Sequence, residues 1–173
     1  MYNTDEEWDV LDEFGNPTGE IVKKKDPRAY EKGVYHGGAD VWIINSENKF
    51  LIQKRSSKKK VHPNVWAMTG GSVIRGETHQ ETLLRECFEE LEINIDINKL
   101  KWFTRFKTEC VWIDNYILRE DFDISKMVYK EDEVSEVKWA TWEEIDNLVK
   151  NNEFIIHRWE FVGELLKKEI ENK

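Results

Sequence analysis

Residues 70–93 read GGSVIRGETHQETLLRECFEELEI, and this stretch decides how the rest of the chain can fold. Its first part is rich in glycine, which indicates a loop, and its second part has the pattern of an amphipathic helix. The apolar residues of that helix recur at the α-helical period and so predict one face turned toward a core; they are Leu84, Cys87, Phe88 and Leu91. Thr78 and Glu81 have the spacing of a capping box, which predicts that the helix begins near Thr78.

Three carboxylates of this helix, Glu86, Glu89 and Glu90, are predicted to share the face opposite the apolar one. Like charges one turn apart destabilise a helix slightly, so the cluster needs a reason. A hard divalent cation such as Mg²⁺ would neutralise it, because this ion prefers oxygen ligands and usually also binds waters and phosphate oxygens. A solvated acidic face is the alternative for such a cluster taken alone.

The spacing of the whole segment favours the metal. Its glycine, its charged residues and its last apolar residue follow one another at the intervals of the Nudix box, which the segment closely resembles; they are Gly71, Glu77, Arg85, Glu86, Glu89, Glu90 and Ile93. The resemblance implies an α/β fold, an α/β/α sandwich with a mixed sheet, in which the box forms a loop, a helix and a second loop. It also implies an enzyme that uses a divalent metal to cleave nucleoside diphosphates linked to another group.

Carried over position by position, the resemblance implies a role for each charged residue of the box. The metal ligands would be three carboxylates and one backbone carbonyl, those of Glu86, Glu89, Glu90 and either Gly70 or Gly71. Glu77 and Arg85 would brace or complete the site, and the general base would be Glu77, Glu90 or a residue of a later loop. The implied cofactor is Mg²⁺, with Mn²⁺ as the alternative.

This chain departs from the family at Glu92, where the box has a glycine. A glycine after a helix usually supplies the left-handed conformation that ends it, which costs a residue with a Cβ about 1 kcal/mol. We therefore expect a strained or differently closed helix end at Glu92, without loss of a metal ligand.

Residues 54–60 form the only strongly basic run of an acidic chain, just before the box. Most such runs are solvated loops. The position of this one makes Arg55 and Lys58 candidates for contacts with substrate phosphates, since the planar fork of arginine matches phosphate oxygens.

A second charged run, residues 131–136, is acidic. In relatives a glutamate of the corresponding loop often serves as the general base, which implies Glu133, with Glu131 behind it. An exposed acidic loop without a catalytic role is the alternative.

The remaining pattern predicts an N-terminal β-hairpin over residues 8–25, further strands and two further helices. The strands are predicted over residues 34–44, 50–53, 101–107, 110–118 and 137–140. Thr141 and Glu144 form a second capping box. The apolar residues of the C-terminal helix recur at helical spacing; they are Ile155, Trp159, Val162 and Leu166. We expect one domain over residues 1–173, with a hairpin extension at 1–33, a core at 34–150 and a C-terminal helix at 151–173.

The composition limits the partners. The chain has 26 Lys and Arg against 35 Asp and Glu, a formal net charge of -9, which argues against a nucleic-acid polymer but allows a small diphosphate substrate held through a metal.

The two cysteines give no disulfide framework. With no signal peptide and no long apolar run, we expect a cytoplasmic protein without a membrane partner. The hairpin favours a homodimer, because a lone hairpin is marginally stable in water.

Three functions compete, and Mg²⁺-dependent hydrolysis of a diphosphate linkage in a nucleoside diphosphate-type substrate is favoured. Residues 8–19 resemble the Nudix branch that includes isopentenyl-diphosphate isomerases, so isomerisation of an allylic diphosphate is the alternative. Those isomerases use a catalytic cysteine after the core strand and a histidine-rich metal site. Residues 66–72 hold no cysteine, and Cys87 is predicted to face the core, where thiols are usually inert. A binding module without chemistry ranks last, because every acidic position of the box is present.

Overall fold

A seven-stranded mixed sheet forms the centre of the structure, a computed structural model that describes residues 5–171. The strands of these residues are β1 (Glu7–Leu11), β2 (Pro17–Lys23), β3 (His36–Ile44), β4 (Phe50–Arg55), β5 (Trp66–Ala67), β6 (Thr69–Ser72), β7 (Lys101–Lys107), β8 (Val111–Arg119) and β9 (Val134–Ala140). The helices are α1 (His79–Leu91), α2 (Trp142–Lys150) and α3 (Trp159–Glu171). None of these helices has the length and apolar character needed to cross a lipid bilayer.

The central strand of the sheet is β3, which pairs in parallel with β8 along its whole length. Its contact with β4 is limited to the pair Ile44 and Phe50, so these two strands diverge. The gap is filled by β6, which pairs antiparallel with the first half of β3. The divergence therefore places the glycines of β6 beside the middle of the sheet.

Both faces of the sheet are covered, as the continuous apolar run at residues 41–44 predicts. Successive side chains of β3 point to opposite faces. One face packs on α1 and includes Ala39, Val41, Ile43, Leu83, Cys87 and Leu91. The other face packs on α2 and α3 and includes Trp42, Ile44, Ile145, Trp159, Val162 and Leu166. The mixed sheet between helical layers confirms the predicted fold class.

The helix α1 begins at the predicted capping box and ends as the departure from the family suggests. Thr78 and Glu81 bond each other's backbone amides, and Glu92 lies in the left-handed region with φ 52° and ψ 26°. The predicted core face was wrong in one residue. Phe88 is 54% exposed, whereas Leu83, which was not part of the predicted face, is fully buried. The chain has apolar residues at both 83 and 84, so the pattern allowed two rotations of the helix, and packing against β3 selects the other one.

Two element boundaries differ from the predictions by three residues or more, and the others by two at most. The strand β9 begins at Val134, three residues early, because its pairing with β4 continues to Arg55. The C-terminal helix begins at Trp159, and Ile155 lies outside it. The amide of Ile155 donates to the carbonyl of Trp66 at 2.8 Å, so this part of the chain runs beside β5 as an extended segment. The division of the chain into extension, core and C-terminal helix stays a prediction.

The N-terminal hairpin forms as predicted, and it packs on its own chain. Trp8, Val10 and Val22 enclose Ala29 in a small separate core. The ring of Trp8 stacks on the ring of His36, at 4.1 Å between centroids and 17° between planes. The hairpin therefore has a place in the monomer and no longer supports a second copy, and the homodimer stays a prediction.

Candidate active site

The glycines of β6 bring its backbone against two carboxylates. In the sheet, Gly70 pairs with Asp40 and Gly71 with Ala39. A Cβ at Gly71 would collide with the carboxyl group of Glu86, and a Cβ at Gly70 would collide with that of Asp40. Only glycine leaves room for this approach, so the glycine-rich start of the box is required by the carboxylates on both sides of it.

Arg85 connects the loop of the box to its helix. Its Nε and Nη2 donate to the two carboxylate oxygens of Glu77 at 2.9 and 3.1 Å, and its Nη1 donates to Glu86 at 2.6 Å. Nη2 also donates to the carbonyl of Ser72 at 3.2 Å. Burial alone would raise the pKa of Glu77, but the hydrogen bonds from Arg85 and from Thr82 lower it. Glu77 is therefore an ionised brace, and Arg85 orients Glu86.

Glu90 does not lie on an exposed acidic face, which corrects the prediction. It is 7% exposed, because the rotation of α1 described above turns it toward β4, where the amide of Gln53 donates to its carboxyl group. Burial, followed by the charge of Glu86, raises the pKa of Glu90 to about 8. Glu89 remains at the surface, with half of its side chain exposed.

The pKa values of two further carboxyl groups beside β6 are also raised. Burial raises the pKa of Glu86, with Arg85 partly offsetting it. Burial and then the charge of Glu86 raise the pKa of Asp40 to about 7. The pKa of Glu90 is raised for the same reasons, so this corner of the molecule lacks positive charge for the carboxylates that it holds.

The residues present fit a divalent cation. The donors are carboxylate and carbonyl oxygens, which Mg²⁺ and Mn²⁺ prefer. Beside Glu90, the Oε1 atom of Gln53 is buried and has no hydrogen-bond partner within the described chain, as expected of an acceptor that faces a bound water. No three His, Cys, Asp or Glu side chains of residues 5–171 already surround a common point. The carboxylates bind protein donors instead, Glu86 through Arg85 and Glu90 through Gln53.

The basic and acidic runs bind each other at the edge of this site. Lys59 forms an ion pair with Glu133, and Ser56 donates to the carbonyl of Glu131 at 2.6 Å. Lys58 binds Asp132 at 2.5 Å, and both side chains are exposed. The acidic loop is thus held on the turn after β4. The partner of Glu133 is Lys59, which the sequence interpretation missed although the two charged runs are complementary.

A cleft of about 230 Å³ opens beside the glycines of β6. Five of its lining residues are polar: His36, Asp40, Arg55, Ser72 and His157. Its aliphatic walls come from Met68, Val111, Ile113, Ile155 and Ile156. Arg55, one of the two candidates for substrate contacts, lines this cleft, and its buried Nε has no partner in the part of the chain that the structure describes. Lys58 is not among the lining residues.

The sequence interpretation also missed Asp40 and Gln53. Asp40 is the only charged residue of β3, and Gln53 follows three apolar residues of β4. A polar residue within a buried strand is a signal of a site, since it needs a partner there. Its purpose could not be read from the sequence, because Gln53 finds Glu90 only through the contact of β4 with α1.

The site combines a glycine-containing strand, a helix whose carboxylates are oriented by an arginine, and an adjoining cleft. In an α/β/α fold this combination defines an enzyme that acts on phosphoanhydride bonds. Residues 34–163 match the family model described as NUDIX domain, and the chain belongs to the Nudix family. It is a Nudix hydrolase.

The relatives agree with this assignment. The chain is 33% identical to an uncharacterized Nudix hydrolase of Listeria monocytogenes, over 87% of this chain and 88% of the relative. A crystal structure of a protein from Deinococcus radiodurans has the same fold, with a TM-score of 0.74 and 25% identity over 94% of this chain and 98% of that one. An isopentenyl-diphosphate Delta-isomerase of Salmonella heidelberg is 32% identical, but over only 53% of this chain and 50% of the relative. The Listeria hydrolase therefore matches more of the chain than the isomerase does.

Proposed function

We propose that this enzyme hydrolyses a diphosphate linkage in a nucleoside diphosphate-type substrate, with Mg²⁺ as its cofactor and Mn²⁺ as the alternative. The observation that carries the proposal is a pair of carboxyl groups with raised pKa values, the partly buried Glu86 and the buried Glu90. Glu86 lies against the backbone of Gly71. The excess negative charge of the two carboxyl groups meets a cleft that can hold the rest of the substrate.

The ion would be held by Glu86, Glu89 and Glu90 together with the carbonyl of Gly70 or Gly71. When bound, it supplies charge neutralisation as the phosphate bond breaks and a lowered pKa of water. The remaining residues fix the geometry of these ligands. Arg85 orients Glu86 from one side and Gln53 orients Glu90 from another.

For the general base we propose Glu133. Glu77 is less suited, since both of its oxygens accept hydrogen bonds from Arg85 and one accepts from Thr82 at 2.8 Å. Glu90 is enclosed and bound to Gln53. Glu133 is one-third exposed and belongs to a loop, so it can leave Lys59 and reach a water.

For binding of the substrate phosphates we propose Arg55. Its Nη2 donates to the carbonyl of Val61 at 3.2 Å, while its unpartnered Nε lies beside the cleft. Lys58, the second candidate, would have to leave Asp132 to reach a phosphate.

The isomerase alternative needs an acid over the substrate carbon, and neither thiol is suited to this role. Cys87 is fully buried in the α1 face, and burial raises the pKa of its thiol. Cys110 lies in the turn before β8, where burial also raises the pKa of its thiol.

The test is product analysis by mass spectrometry on a panel of nucleoside diphosphate compounds in water labelled with oxygen-18, with and without Mg²⁺. Hydrolysis places one labelled oxygen in a phosphate product, only when the metal is present. Isopentenyl diphosphate is included in the panel. Conversion of this compound to dimethylallyl diphosphate without incorporation of label would contradict the proposal, and so would full activity in excess EDTA.

A further inference from the structure

Among the acidic groups beside β6, that of Asp40 is the one without a partner in the described part of the chain. Within residues 5–171 its oxygens accept no hydrogen bond and form no ion pair. Three other buried or partly buried carboxylates each have a hydrogen-bond donor: Glu86 binds Arg85, Glu90 binds Gln53, and Asp114 binds Arg105 at 2.6 Å. Asp40 is partly exposed, and it lines the cleft, where water can reach it before a ligand binds. A substrate that fills the cleft displaces this water, so a ligand that supplies a donor in its place offsets the cost of desolvating the carboxyl group.

The position of Asp40 assigns it to the cleft. It lines the cleft directly, between the aliphatic walls. Alternate residues of β3 point to the same face of the sheet, so Asp40 shares a face with Trp42 and Ile44, which pack on α2 and α3. The intervening residues Ala39 and Val41 pack on α1. The carboxylates of the box come from α1. Asp40 therefore faces the cleft, on the other side of the β6 backbone from the residues proposed to hold the metal.

The contact with Gly70 fixes this orientation. Because a Cβ at residue 70 would collide with the Asp40 carboxyl group, the glycine leaves the space that the carboxyl group occupies.

We propose that Asp40 accepts a hydrogen bond from a hydroxyl or amino group on the substituent that the diphosphate carries. This inference rests on the proposed function and names the class of substrate: the substituent is uncharged and bears a donor. Above its pKa of about 7 the carboxyl group of Asp40 is ionised and offers acceptors only, so it then rejects a carbonyl or a further phosphate at the same place. The assays are therefore run at about pH 8.5, where the group is ionised. The donor comes either from a sugar hydroxyl or from an exocyclic amino group of a base.

The experiment compares wild type with Asp40→Asn on matched pairs of substrates. CDP has an exocyclic amino group where UDP has a carbonyl, and each nucleotide is also tested without its 2′-hydroxyl or its 3′-hydroxyl. We expect wild type to prefer the donor-bearing member of one pair by roughly 10- to 100-fold in kcat/KM, the usual effect of a charged hydrogen bond. In Asp40→Asn this preference falls to a few-fold, because the amide can also donate. The substrate pair whose preference falls in Asp40→Asn shows whether the donor is a sugar hydroxyl or an amino group of the base.

Asp96→Asn is the matched control. Asp96 is exposed and caps the turn at Ile97–Lys99, a role that asparagine fulfils equally well. This variant keeps the preference of the wild type.

Binding of CMP and UMP and of their deoxy forms, measured by calorimetry, tests Asp40 independently of hydrolysis, because these compounds have no diphosphate bond. Equal discrimination by wild type and Asp40→Asn, in binding and in kcat/KM, overturns the inference. It is also overturned if Asp40→Asn loses Mn²⁺ binding in a titration without nucleotide, since Asp40 would then be a metal ligand. A wild type that discriminates in binding but hydrolyses nothing overturns the proposed function alone.

Discussion

Arg85 and Glu77 are joined by a two-pronged ion pair, with Nε to Oε1 at 2.9 Å and Nη2 to Oε2 at 3.1 Å. The pair connects the loop of the box to its helix, and the same guanidinium reaches Glu86. Lysine would keep the charge but offers a single ammonium group in place of the planar fork.

We therefore expect Arg85→Lys to lower kcat by roughly 10- to 100-fold, the effect of losing a residue that orients a metal ligand, and to lower the free energy of unfolding by about 1–2 kcal/mol. Steady-state kinetics and urea melts measure the two effects. Arg75→Lys is the control, since Arg75 is exposed and its closest ion pair, with Glu7, is long at 3.4 Å. An Arg85→Lys enzyme as active as this control would show that the brace is dispensable.

Glu89→Gln tests the metal site at its most exposed proposed ligand. The substitution keeps the volume and removes one negative charge, so we expect most of the turnover to be lost while the fold is retained. Turnover with Mg²⁺ and the circular dichroism spectrum are the two measurements. An active variant, or a wild type that is insensitive to EDTA, would contradict the assignment.

Glu92→Gly restores the residue that the family has at this position. Glu92 holds a left-handed conformation with φ 52°, so the change is expected to stabilise the protein by up to about 1 kcal/mol in urea melts. Asn48→Gly, at another non-glycine residue with positive φ (58°), provides a comparison outside the box. A clear destabilisation by Glu92→Gly would mean that the glutamate side chain itself holds the helix end.

His36 predicts a pH dependence of stability. Burial lowers its pKa to about 4, from an ordinary value of 6.5. Above pH 6.5 the imidazole is neutral whether the chain is folded or not. Between pH 6.5 and 4 the unfolded chain binds a proton that the folded chain excludes. The free energy of unfolding therefore decreases as the pH is lowered through this range, by on the order of 3 kcal/mol in total.

The measurement is the difference in urea midpoint between pH 7.5 and pH 5, for wild type and for His36→Gln. We expect a smaller difference in the variant, because glutamine does not titrate. This comparison also cancels the contribution of the buried carboxyl groups, which are common to both proteins. Equal differences would show that His36 titrates normally in the folded state.

The homodimer is the fifth prediction, and light scattering at micromolar concentration measures it. The packing of Trp8 against His36 buries one side of the hairpin within its own chain, so the hairpin alone gives no reason for a second copy. A monomer mass would contradict the prediction.

The box could be recognised from the sequence because its residues are close along the chain, and the capping boxes at Thr78 and Thr141 were predicted for the same reason. The burial of Glu90 could not be predicted. It depends on Gln53, 37 residues away, and on which of two adjacent leucines turns toward the sheet. The start of the last helix at Trp159 was also out of reach, since Ile155 is held by a backbone bond to Trp66 that no local pattern encodes.

The parallel pairing of β3 with β8 has a consequence for synthesis of the protein. Trp42 and Asn115, whose side chains bond at 3.1 Å across these strands, are 73 residues apart, and the entire box lies within the loop that they close. Closing such a loop comes late in folding, because the entropy of the whole loop is lost before the contact forms. At the usual rate of translation the ribosome needs about 4–15 s to make the intervening chain. During that interval β3 can pair with β4 and β6, but its other edge lacks the parallel partner β8, so the nascent chain exposes an apolar strand edge to chaperones and to aggregation until β8 has been made.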